Sequence, residues 1–299
     1  MIRLLLALLF LALSAAAGAG AQAQQPPAPF RSDRILVETR GPANGPDILF
    51  IPGLGSTASA WRSTASQLQN RYRVHLITLR GFGQTDIGAN ASGGLEGPAT
   101  TEILRYIRQQ NLQRISVVGH SMGGQLALRV AAASPDRVSR VMVVDAAPFF
   151  PALIDERATS AEVEPIARIG YQALMLFGDQ ALQSQAARMG GDLGAAGDVL
   201  FRSLGLQGGD RRVLAQGLYE VMTVDLRPRL PAIRAPVTLV YGWSADSNNP
   251  RNRLDALWRA SFRTLTSPIR YERIEGAEHQ VMIEQPARFM QAMNRFLGE

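Results

Sequence analysis

The chain contains no cysteine and no lysine. Without cysteine there can be no thiol nucleophile, disulfide, iron–sulfur ligation, c-type haem attachment or lipid-modified cysteine of a bacterial lipoprotein. Without lysine all 31 basic residues are arginine, which removes Schiff-base chemistry and a lysine-bearing phosphate loop. Histidine is scarce: His75, His120 and His279 are the only three, so any mechanism that needs an imidazole must choose among them. Charged residues make up 19% against 46% hydrophobic, and no low-complexity tract occurs. The disordered, collagen-like and coiled-coil classes are thereby excluded. A length of 299 residues is enough for one large α/β domain or two ordinary ones.

Arg3 precedes an unbroken apolar run over residues 4–13, then small residues ending in Ala21-Gln22-Ala23, then Pro26, Pro27 and Pro29. This order predicts a signal peptide over 1–23, cleaved after Ala23, and a Pro-rich linker over 24–33. The apolar run is too short to span a bilayer, so the mature protein is expected in the periplasm or secreted, with no stable membrane span. The net charge is +6, but the arginines are dispersed as singles and pairs, such as Arg71 with Arg73 and Arg211 with Arg212. With no aromatic-interleaved basic stripe, they read as a solvated surface and not as a nucleic-acid interface.

Five runs of β-branched and aliphatic residues, at 48–51, 74–77, 115–118, 141–144 and 237–241, are continuous and not alternating, as strands covered on both faces should be. Helical spacing between them, including 101–110 and 125–133, predicts a mostly parallel central sheet wrapped by helices. Weaker strand candidates lie at 35–39 and 270–274. A terminal helix is predicted from Pro286, through the face Phe289, Met290, Met293, Phe296 and Leu297, to Gly298. The alternation breaks over 149–234, which holds helix-forming stretches and several glycines (Gly190, Gly191, Gly194, Gly197) but no strand run. It reads as a helical lid inserted between core segments 34–148 and 235–299. Met175, Phe177 and Met222 are its candidate substrate-pocket residues.

Gly119-His120-Ser121-Met122-Gly123 follows one buried-strand signal and opens a helical one. A serine on a tight strand-to-helix turn needs small neighbours, and the following amide, that of Met122, points at the same space as its hydroxyl. Ser121 is thus the candidate nucleophile and Met122 one oxyanion donor. The chain resembles the α/β-hydrolase superfamily, in its lid-bearing, esterase-like branch, over about Asp47 to Leu297. The motifs that carry the resemblance are this elbow, the loop Phe50-Ile51-Pro52-Gly53-Leu54-Gly55-Ser56, and the loop Gly276-Ala277-Glu278-His279-Gln280. By the same resemblance Leu54 supplies a second oxyanion amide. His120 adjoins the serine and His75 lies within an apolar strand run, which leaves His279 as the base. Family position favours Asp246, in Gly242-Trp243-Ser244-Ala245-Asp246, as the acid, although this loop is one residue longer than the usual glycine-to-acid spacing. Asp145, ending the run 141–144, is the rival.

The activity these residues imply is an exported serine hydrolase cleaving carboxylic esters through an acyl-enzyme, with no cofactor and no metal, on a small-molecule ester. Lactonase, perhydrolase and carbon–carbon bond hydrolase chemistries use the same residues, and a non-catalytic ligand-binding module is the alternative from another class. Serine at the elbow argues against the superfamily's epoxide hydrolases and haloalkane dehalogenases, which use aspartate there. If the leader reading is right, N-terminal sequencing of the protein exported by a bacterial host should begin at Gln24.

Overall fold

The computed structural model describes residues 29–186, 208–245 and 250–299. The predicted leader, the glycine-rich stretch 189–197 and Asp246 lie outside the described residues. The strands are β1 (Ile35–Arg40), β2 (Asp47–Ile51), β3 (Arg73–Leu79), β4 (Ile115–His120), β5 (Val138–Val144), β6 (Val237–Trp243) and β7 (Ile269–Glu275). They form one sheet in the order β1-β3-β2-β4-β5-β6-β7, in which only the β1–β3 pairing is antiparallel. Sequence runs without alternation became the central strands: every residue of β4 is buried, as are six of the seven in β3 and in β6. Both end strands, the weak candidates in the sequence, are real. They pair on one side only and carry exposed or half-buried residues, which explains their weaker apolar signal.

The helices are α1 (Arg62–Leu68), α2 (Glu96–Gln109), α3 (Met122–Ala133), α4 (Ser160–Ala186), α5 (Arg211–Thr223), α6 (Arg251–Ser261) and α7 (Pro286–Leu297). On one face of the sheet Phe289, Met293 and Phe296 of α7 pack with Trp61 and with Phe50 of β2. The ring centroids of Phe50 and Trp61 lie 5.1 Å apart, and those of Trp61 and Phe289 5.9 Å apart. On the other face Ile103 and Ile107 of α2 and Leu126 and Val130 of α3 cover Leu49, Val117 and Val143. Gly298 closes α7 in the left-handed region, at φ 87°, the conformation that favours glycine after a helix. Between β5 and β6 the described residues form no strand, only helices and turns, and α4 bends at Gly178 (φ 73°, ψ 170°).

His75 is a core residue, 2% exposed. Its Nε2 lies 2.9 Å from Asp47 Oδ1 and its Nδ1 2.6 Å from the Tyr106 hydroxyl. The carboxylate can only accept, so Nε2 donates and Nδ1 accepts from the tyrosine. Every polar atom of the ring is satisfied at the amino end of the strands, away from the edge where Ser121 follows β4.

A second buried network joins α5 to the core. The Glu220 carboxylate on α5 accepts the amides of Leu95 and Glu96, each at 2.7 Å, where the positive end of the α2 dipole favours an anion. Glu96 is wholly buried; one of its oxygens accepts from Arg129 Nε of α3 at 3.0 Å. Its other oxygen, Oε1, has no partner among the described residues. Burial pushes the Glu96 carboxyl up to about 7, with Glu220 adding to the rise and Arg129 opposing it. A carboxyl raised above its ordinary 4.5 binds a proton in the folded protein that the unfolded chain has already released. Its contribution to stability is complete below about pH 4.5 and is lost as pH rises through about 7. Glu96→Gln should therefore flatten the fall in thermal midpoint over this window, measured by thermal melts at pH values between the two limits.

Candidate active site

Strand β4 ends at His120, and the chain turns into α3 through Ser121 at φ 54°, ψ −126°. A non-glycine residue at positive φ is strained and persists only where its surroundings over-determine it. Here a side chain at Gly119 would collide with the Gly123 carbonyl, and one at Gly123 would collide with the carbonyls of Ile51 and Pro52. The elbow is therefore pressed against the loop that leaves β2. The Ser121 amide donates to the Val144 carbonyl at 3.0 Å, which extends the β4–β5 ladder to the serine itself.

The loop after β2 brings Gly53 against the elbow: a Cβ there would stand 3.1 Å from Ser121 Cβ and 3.0 Å from His120 Nδ1. Leu54 follows, buried, and its amide makes no hydrogen bond among the described residues. Met122 is the first residue of α3, where an amide has no intrahelical acceptor. Neither amide has a backbone carbonyl partner among the described residues, so both are free to donate to a developing oxyanion. Helix α5 roofs both residues. A Cβ at Gly217 would collide with Leu54 Cδ1 and lie 3.5 Å from the Met122 sulfur.

His279 lies in the loop between β7 and a single helical turn, Val281–Glu284. The Glu284 carboxylate accepts the amides of Glu278 at 2.5 Å and Gln280 at 3.2 Å, clamping the histidine from both sides in sequence. His279 Nδ1 is 2.6 Å from Asp145 Oδ2. The carboxylate can only accept, so Nδ1 carries a proton, and in the neutral ring Nε2 presents a bare lone pair. That Nε2 is buried and has no partner among the described residues.

The sequence favoured Asp246 for the place that Asp145 occupies. Asp246 lies outside the described residues, and the Nδ1 of His279 is already taken by Asp145. Asp145 follows β5 at φ 45°, its amide donating to the Val240 carbonyl at 2.7 Å. Its Oδ1 accepts the Gly242 amide at 3.2 Å, so the glycine of the expected acid loop holds the aspartate that ends the neighbouring strand. A side chain at Gly242 would collide with the Glu278 carbonyl, so the histidine loop closes directly over the end of β6. Two sequence signals pointed this way: the extra residue between Gly242 and Asp246, and a lone aspartate at the end of a buried strand.

Ser121, Leu54, Met122 and His279 thus gather at the carboxyl edge of the sheet. Of the pocket candidates, Met175 and Met222 are half-buried and Phe177 is 52% exposed. Gly217 of this helical segment packs against Leu54 and Met122, and sequence reasoning missed it because a close approach leaves no periodic signal. Met222, five residues on, lies on a different side of α5. Among the described residues no group of three or more histidine, aspartate or glutamate side chains could hold a metal ion, and no helix is long and apolar enough to cross a membrane.

Residues 48–292 match the profile of the alpha/beta hydrolase family. The pimeloyl-[acyl-carrier protein] methyl ester esterase of Aeromonas hydrophila is 29% identical over 269 residues, covering 85% of this chain and 96% of that protein. The enzyme of the same description from Edwardsiella ictaluri is 29% identical, covering 84% and 92%. Among solved structures, the enol-lactonase from Burkholderia xenovorans superposes with a TM-score of 0.67 at 22% identity, covering 89% of this chain and 96% of that one. A thermophilic esterase from Thermogutta terrifontis gives 0.66 at 20%, covering 88% and 93%. With the match spanning sheet, elbow and histidine loop, the chain is a hydrolase that belongs to the alpha/beta hydrolase family.

Proposed function

We propose that this hydrolase is an exported carboxylesterase acting through Ser121, His279 and Asp145. The observation that carries the reading is the His279 ring, fixed by Asp145 at Nδ1 and left with a buried, unpartnered Nε2 beside a serine on a strained elbow. His279 Nε2 takes the proton as Ser121 Oγ attacks the ester carbonyl, and the amides of Leu54 and Met122 bind the oxyanion. The imidazolium, stabilised by Asp145, then gives that proton to the departing alcohol, and water releases the acid by the same route. The ester class is supported by the relatives named methyl ester esterases, and export by the leader-like residues 1–23. The described helices between β5 and β6 are proposed as a lid, anchored through Glu220, with Met175 toward the acyl side and Phe177 at the rim.

Ser121→Ala and His279→Ala should each lower turnover of nitrophenyl esters by about three to six orders of magnitude, since residues that act as a unit fail as a unit. The fold should be unchanged by circular dichroism. Retention of a tenth of the activity in either variant would remove that residue from the mechanism. Asp145→Asn should cost about 10²- to 10⁴-fold, because an amide no longer fixes the imidazole in the required tautomer. Asp246→Asn should stay close to wild type; the reverse order would return the acid to the loop after β6. A panel of esters of graded acyl length beside lactones, with fluorophosphonate labelling of Ser121, separates esterase from lactonase, and both from a binding module that leaves the serine unlabelled.

A further inference from the structure

His120 does more in this structure than fill the space before the serine. It is fully buried, and its Nε2 lies 2.8 Å from the backbone carbonyl of His279. A carbonyl can only accept, so Nε2 carries the proton and Nδ1 of the neutral ring is bare. That Nδ1 has no partner among the described residues, and it faces Gly53, where a Cβ would stand only 3.0 Å away. The rings of His120 and His279 lie 4.6 Å apart, inclined at 49°. One side chain therefore lies against three of the four segments that build the site: the elbow it belongs to, the loop at Gly53, and the backbone of His279.

We infer that His120 is a positioning residue for the hydrolytic reaction, its Nε2–H holding the His279 backbone so that the imidazole spans Asp145 and Ser121. The inference rests on the proposed serine hydrolase reading. Its chemistry is a single fixed donor. Glu284 restrains the amides on either side of His279, and His120 restrains the His279 carbonyl. The ring must also stay uncharged, because a second cation 4.6 Å away would oppose the imidazolium that forms on His279. Burial, helped by the charge of His279, holds the His120 imidazole well below the usual histidine range.

The test compares three substitutions. The amide nitrogen of His120→Gln falls near the position of Nε2 and can still donate to the His279 carbonyl. His120→Phe keeps a ring but has no donor, and the nitrogen of His120→Asn falls near Nδ1, on the wrong side. His120→Phe and His120→Asn should lower kcat about 10- to 100-fold with KM within about twofold, the scale of a catalytic group misplaced by an ångström or less. The downfield proton NMR signal of His279 Nδ1–H, which reports its bond to Asp145 without substrate, should broaden or vanish in both, while His120→Gln restores signal and kcat. Thermal melts identify any variant that fails to fold, and the Asn variant stands in should the Phe variant do so. Full kcat and an intact signal in His120→Asn, or a Gln variant no better than Asn, would overturn the inference. Ser121→Ala with undiminished activity would instead overturn the hydrolase reading, leaving the NMR comparison to stand by itself.

Discussion

The hydrogen bond between Asp145 and His279 is the constraint on which the rest of the site depends. It joins residues far apart in sequence across the end of β6, the strand lying between them in the sheet. For the carboxylate to reach, the chain after β5 must turn through a positive φ at Asp145, a conformation a short polar side chain tolerates better than most. For the imidazole to reach, the histidine loop must lie flat on β6, which only a glycine at 242 allows. A charge-assisted bond of this kind is among the strong ones, and both of its ends are further held by backbone amides, Gly242 on the acid and the Glu284 clamp on the histidine loop.

The same economy of contacts governs the cover. Helix α5 meets Leu54 and Met122 at Gly217 and is tied to the first turn of α2 by Glu220 three residues later. The carboxylate at the α2 terminus and the partly compensated Glu96 beside it form a buried polar joint, costly to open and sensitive to its own charge. Through Arg129 the joint also reaches α3, the helix that begins at the serine elbow.

Much of the fold was legible because its signals are local. Buried parallel strands are continuous apolar runs, and the elbow at Gly119 to Gly123 and the terminal helix from Pro286 to Gly298 carry their own punctuation. The candidates Ser121 and His279 came from the elbow, from the scarcity of histidine and from family likeness. The contact between Asp145 and His279 was not legible, because it depends on which strand end reaches the histidine, a matter of tertiary register that no local pattern encodes. The contacts of His120 were hidden for the same reason. Its partner is a backbone carbonyl 159 positions away, and backbone carries no residue identity to read. Gly217 likewise resembles any helical glycine until Leu54 is placed against it.

The ladder of the sheet does not stop at the last strand residues. Ser121 donates to Val144, and Asp145 donates to Val240, so each strained residue is one more rung between neighbouring central strands. Rungs of this kind belong to the most protected cooperative unit of a protein, because opening them means separating strands buried on both faces. Ser121 and Asp145 are in this sense part of the sheet and not of the loops that decorate it. Heating should then leave the backbone of these two residues in place until the sheet itself comes apart.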